Sequence, residues 1–89
     1  MNIGERISLA RKCKGIQQKY VAEKLYKTPQ WLSNIERGTR PVGAEELKKI
    51  ATILGVDAGI FFADDFNNAL SKVLSAEKKG KDLTNKEAM

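Results

Sequence analysis

Residues 17–37, QQKYVAEKLYKTPQWLSNIER, read as two short helices joined by a tight turn. The first fits residues 17–25, with Val21, Ala22 and Leu25 directed inward at helical spacing. Tyr26 and Lys27 form the turn. Thr28-Pro29 then restarts the helix: threonine is a good N-cap, and proline at the first helical position forfeits an N–H that would have no intrahelical acceptor. The second helix buries Leu32 and Ile35 and runs to about Arg37, where Gly38 ends it. Gln30, Ser33 and Asn34 are left together on the opposite, polar face.

Working outward, the pattern stays helical and no run shows the period-2 alternation of a strand. Asn2 with Glu5 three residues on is a capping box, and Ile3, Ile7 and Ala10 make the apolar stripe of a first helix stopped at Gly15. After the Thr39–Gly43 loop, Leu47, Ile50, Ala51 and Leu54 define a helix over about 44–54, ended by Gly55. Asp57 caps a fifth helix holding Ile60, Phe61 and Phe62. A further stripe, Phe66, Leu70, Val73 and Leu74, extends to about Ala76. The expected fold is all-α, with residues 1–62 as the main domain and 63–77 as an additional C-terminal helix. Residues 78–89 read as a polar flexible tail.

Composition narrows the class. Eighty-nine residues, 42% of them hydrophobic, suit one globular domain. The single cysteine, Cys13, cannot form an internal disulfide, and no apolar run resembles a signal peptide or membrane span, so a cytoplasmic location is expected. Net charge is +5, and its placement is uneven. Residues 1–40 hold nine Lys/Arg against three acids; residues 41–89 hold seven against eight. The basic balance belongs to the N-terminal half, as expected if that half faces phosphates. There is no histidine, metal-ligand cluster, P-loop or dinucleotide fingerprint. Glu45-Glu46 and Asp64-Asp65 are adjacent pairs at helix starts, where capping accounts for them. No enzyme, cofactor or small-molecule ligand is indicated.

The helix–turn–helix layout over 17–37 is the one that places a second helix in the major groove of DNA. About residues 3–62 closely resemble the phage-repressor-like (Cro/C1-type, XRE) helix-turn-helix family. The resemblance rests on Gly15-Ile16, Gln18, Val21-Ala22, Leu25, Leu32-Ser33, Ile35-Glu36-Arg37-Gly38, Leu47, Ile50-Ala51 and Leu54-Gly55-Val56. It implies a five-helix, lambda-repressor-like domain, often dimeric on double-stranded DNA. By position it implies base contacts from Pro29, Gln30, Ser33 and Asn34, and phosphate contacts from Gln18, Thr28, Thr39 and Arg40. It also implies an Arg11–Glu36 ion pair joining the first and third helices. Asparagine and glutamine can pair bidentately with adenine, and serine bonds several base edges. Ser33 has an alternative role as a small spacer. Trp31 fits either the sugar-phosphate backbone or the core; since Leu32 and Ile35 already face inward, the backbone is expected. Three residues depart from the family: Tyr26 replaces a turn glycine, Lys27 an apolar residue, and Pro29 has no donor to offer a base.

The C-terminal stripe has two readings. Phe61, Phe62, Phe66, Leu70, Val73 and Leu74 either fold back on the domain or form a symmetric interface. A homodimer on a palindromic operator, acting more often as a repressor, is the expected arrangement. A protein-interaction module on the same fold, such as an antitoxin or a regulator's partner, is the alternative; the polar face of the second helix favours DNA.

Overall fold

The computed structural model describes residues 1–76, and the expected tail over 78–89 lies outside the described residues. Four α-helices come in order: α1 (Ile3–Cys13), α2 (Gln18–Lys24), α3 (Pro29–Glu36) and α4 (Ala44–Leu54). A 3-10 helix (Ala58–Phe62) follows, then α5 over 66–76. No strand occurs among the described residues. The fold is all-α.

Local chemistry sets the boundaries. Glu5 N–H donates to Asn2 Oδ1 at 2.9 Å and Asn2 N–H to Glu5 Oε1 at 3.0 Å, so each satisfies a donor that α1 cannot. Gly15, Gly38 and Gly55 stand at φ of +70°, +81° and +72°, ending α1, α3 and α4. The expected fifth helix is tighter than an α-helix, a five-residue 3-10 segment whose first turn is held by Asp57 Oδ1 accepting from Gly59 N–H. Asp65 does the same for α5, accepting from Asn68 N–H at 3.2 Å.

The turn between α2 and α3 contains two of the three sequence departures, Tyr26 and Lys27. Tyr26 is left-handed at φ 58°, and its side chain is 96% exposed, so no packing offsets the backbone cost of about 1–2 kcal/mol. The turn is closed instead by Lys27 N–H donating to the Ala22 carbonyl at 2.9 Å. Lys27, standing where the family has an apolar residue, lays its ammonium over the Trp31 ring, 5.5 Å from the centroid.

One core joins every helix: Ile7 and Ala10 of α1, Val21 of α2, Leu32 and Ile35 of α3, Ile50 and Leu54 of α4, and Phe61. At Gly4, α1 lies against the backbone of α3; a Cβ there would fall on the Ile35 carbonyl oxygen.

The C-terminal stripe requires a correction. Phe61, Phe66 and Leu70 are buried within the chain, at 0%, 3% and 3% exposure, and are not available to a second copy. Val73 and Leu74 are half-buried against the same core, and Phe62 alone of the six is open, at 67%. Folding back wins because α1 offers both surface and charge. The Phe61 and Phe66 rings stack 6.3 Å apart, and the Arg6 guanidinium lies 5.2 Å from the Phe66 centroid. Arg6 Nη1 donates to the carbonyls of Phe61 (3.1 Å) and Ala63 (2.7 Å), satisfying the end of the 3-10 helix.

Candidate nucleic-acid interface

The side of α3 that faces the domain is clamped by charge. Arg11 Nε and Nη2 donate to the two carboxylate oxygens of Glu36 at 2.7 and 3.0 Å, a bidentate pair with side chains 10% and 5% exposed. Arg11 Nη1 also donates to the Ile16 carbonyl in the α1–α2 turn, and Gln18 Nε2 donates to Glu36 Oε1 at 2.9 Å. Three helices thus meet at one carboxylate. Arg6 and Arg11 are both committed inside the molecule, so the basic charge of the N-terminal half comes to its surface through the remaining Lys and Arg.

The opposite side of α3 is polar and open. Gln30 Nε2 donates to Asn34 Oδ1 at 2.9 Å, and Arg37 Nη2 donates to the same oxygen at 2.7 Å. Gln30 and Arg37 are exposed, and Ser33 and Asn34 are half-buried at the same face. Pro29 is exposed at the first helical position, and Thr28 Oγ1 accepts from Trp31 N–H at 3.1 Å, which caps the helix.

The loop after α3 is folded onto its end. Thr39 N–H, Thr39 Oγ1 and Arg40 N–H all donate to the Asn34 carbonyl, at 3.0, 3.1 and 3.2 Å. Both donors of Thr39 are therefore engaged, and a phosphate, which only accepts, finds none on it. Its place is to hold the loop to the helix, with Arg40 exposed beside it. Gln18 retains one amide N–H, and the Thr28 hydroxyl retains its proton.

Trp31 also requires a correction. It is 9% exposed and part of the core, and its Nε1 is buried without a partner, so it does not present a donor to a phosphate. The spacing carried that information: residues 31 and 35 are one helical turn apart and share the inward face with Leu32. An open groove of about 660 Å³ runs from the α2–α3 turn to α4, lined in part by Trp31, Leu25 and Ile53, with Lys24, Lys27, Lys48 and Lys49 around them. These lysines extend the basic surface beside α3.

Arg37 joins this face through its bond to Asn34, and it was not among the residues expected there. It lies two helical turns beyond Gln30, the spacing that aligns side chains on one face. Gly4 and Arg6 gave no comparable signal, because their partners lie far along the chain.

A short helix held on one side by a buried ion pair, joined by a tight turn to the helix before it and exposing Gln30, Asn34 and Arg37 on the other side, has the layout of a helix-turn-helix domain. The helix-turn-helix family model matches residues 7–61, and the chain belongs to that family. The HTH-type transcriptional regulator RamB of Mycobacterium tuberculosis, from strains CDC 1551 / Oshkosh and ATCC 25618 / H37Rv, is 33% identical over 63 residues. The match covers 71% of this chain but only 13% of the length of RamB. The crystal structure of the clp gene regulator ClgR from Corynebacterium glutamicum superposes with a TM-score of 0.67 at 23% identity, over 91% of this chain and 85% of that one. That likeness concerns the fold. Among the described residues no helix is long and apolar enough to cross a membrane.

Proposed function

We propose that this chain is a repressor that binds a palindromic operator as a homodimer, each copy placing α3 in the major groove. The observation that carries the reading is the split of α3 into a clamped inner side and an exposed face of Gln30, Asn34 and Arg37. In this reading Pro29, Gln30, Ser33 and Asn34 meet base edges, Pro29 through shape or a thymine methyl and Ser33 as donor or spacer. Gln18, Thr28 and Arg40 meet phosphates, which set register without reading sequence. Occupancy of a site near a promoter excludes polymerase, and the work is done in the cytoplasm, where that DNA is.

A single short reading helix binds weakly, and two copies on one site raise affinity through effective concentration. With Phe61, Phe66 and Leu70 internal, the exposed Phe62 and the half-buried Val73 and Leu74 are the apolar groups left for a symmetric contact. The domain division follows: residues 1–62 bind DNA, and 63–77 are the C-terminal element, whose Phe66 and Leu70 complete the core and whose Val73 and Leu74 carry part of the dimer contact.

Selection from a random duplex pool, followed by sequencing of the bound fraction, tests the proposal. A two-fold motif with half-site centres about one helical turn apart supports a dimeric reader. No enrichment by folded protein would overturn it and point to a protein partner. Within an enriched motif, Gln30→Ala should cost on the order of 1–3 kcal/mol on the best site and relax one base pair. Arg40→Ala should weaken all sequences alike and flatten the salt dependence by about one unit.

A further inference from the structure

We infer that Asn34 and Arg37 act as one donor unit that reads guanine, and that Arg37 sets this preference by occupying the Asn34 side-chain oxygen. The inference rests on the DNA-reading role of α3 proposed above and assigns the chemistry of one base within it.

The amide orientations follow from chemistry. A guanidinium has N–H donors and no acceptor, so the Asn34 atom 2.7 Å from Arg37 Nη2 is the oxygen. The Gln30 group 2.9 Å from that same oxygen must then be its nitrogen. Both lone pairs of Asn34 Oδ1 are in use, and the nitrogen of Asn34 is left with donors only. Arg37 adds further N–H groups beside it. The helix end that carries Arg37 is itself held, since the Thr39–Arg40 loop donates three times to the Asn34 carbonyl.

This arrangement decides between bases. Asparagine reads adenine by accepting from N6 while donating to N7, and an occupied oxygen cannot do the first. Guanine offers N7 and O6, two acceptors, to the donors of Asn34 and Arg37. Gln30 keeps its Oε1 and one N–H, which is the adenine-reading pair. The three side chains thus present a guanine-reading end and an adenine-reading end along one helix face. Arg37 is a positioning residue in this scheme as well as a donor, and its removal should change which base is chosen.

The experiment is parallel random-pool selection with the wild-type chain, Arg37→Ala, Asn34→Ala and Asn34→Asp, followed by anisotropy titrations on the selected duplex. The base pair whose preference Asn34→Ala erases is the one Asn34 contacts. There the wild type should favour guanine over adenine by about tenfold or more. Arg37→Ala frees one of the two lone pairs of the Asn34 oxygen and should level or invert that ratio. Asn34→Asp keeps an acceptor for both neighbours but removes the donors, so its preference should move from guanine toward cytosine, whose N4 donates. Arg37 is exposed, so thermal unfolding of Arg37→Ala should match the wild type, and the Asp variant reports independently. Uniform weakening of all sequences by Arg37→Ala, with a flatter salt dependence, would reduce Arg37 to a phosphate contact and overturn the inference. So would adenine at the Asn34 pair in the wild type. A wild type that enriches nothing would remove the regulator reading itself, an outcome visible before any variant is compared.

Discussion

Helix α3 carries two polar networks on opposite sides, and they differ in what surrounds them. The inner one, Arg11–Glu36–Gln18, has a buried ion pair at its centre and joins three helices. The outer one, Gln30–Asn34–Arg37, lies at the surface on a single helix and its capping residue. In the low-dielectric interior a charge that loses its partner has no water to replace it, so the inner network is stiff and costly to break. At the surface a bond that is lost can be replaced by one to water, at little cost to folding. A reading helix needs both: a side that holds it to the domain and a side whose remaining donors and acceptors stay open to a groove.

The comparison breaks most severely at Glu36. Glu36→Ala leaves Arg11 buried and uncompensated, and should lower unfolding free energy by about 3–5 kcal/mol in a denaturant titration. A loss below about 1 kcal/mol would mean the inner network is as replaceable as the outer one. Gly4→Ala attacks the same junction through sterics, since its Cβ meets the Ile35 carbonyl; α1 must lift from α3, at about 1–3 kcal/mol by the same measurement. Tyr26→Gly should act in the other direction. It relieves the left-handed strain for a gain of up to about 1 kcal/mol, reduced by glycine's greater freedom when unfolded, and should raise the melting temperature. Gln30→Ala should have the smallest effect on stability, within about 0.5 kcal/mol, while weakening DNA binding. A melting temperature that fell with Gln30→Ala as it does with Glu36→Ala would erase the distinction between the two sides.

The residues differ in how legible they were. The caps at Asn2 and Thr28, the glycine stops and the inward stripes of α1 to α4 are local, set by residues within a turn or two, and sequence spacing reveals them. The fifth helix was legible in place but not in kind, because a five-residue segment between Asp57 and Ala63 is too short for periodicity to separate 3-10 from α geometry. Leu32 and Ile35 alone make a narrow inward face that leaves Trp31 outward, but a helix packed into a core usually buries a wider apolar stripe, and here Trp31 is part of it. Within the reading face, the positions of Gln30 and Asn34 followed from spacing, while the shared oxygen that joins them to Arg37 depends on rotamers that no spacing specifies.

By itself the sequence determined that the chain is all-α, where its helices begin and end, and that its second short helix offers amides on one side. Each of these depends on hydrogen bonds and apolar periodicity over a few consecutive residues. Only the tertiary structure decided that Phe61, Phe66 and Leu70 belong to the core, that Arg6 closes the end of the 3-10 helix, and that the Arg11–Glu36 pair implied by the family resemblance lies out of water. Those outcomes join groups tens of residues apart, and burial is a property of what the rest of the chain places around a side chain. An apolar stripe needs a cover, and its spacing does not say whether that cover comes from its own chain or from another.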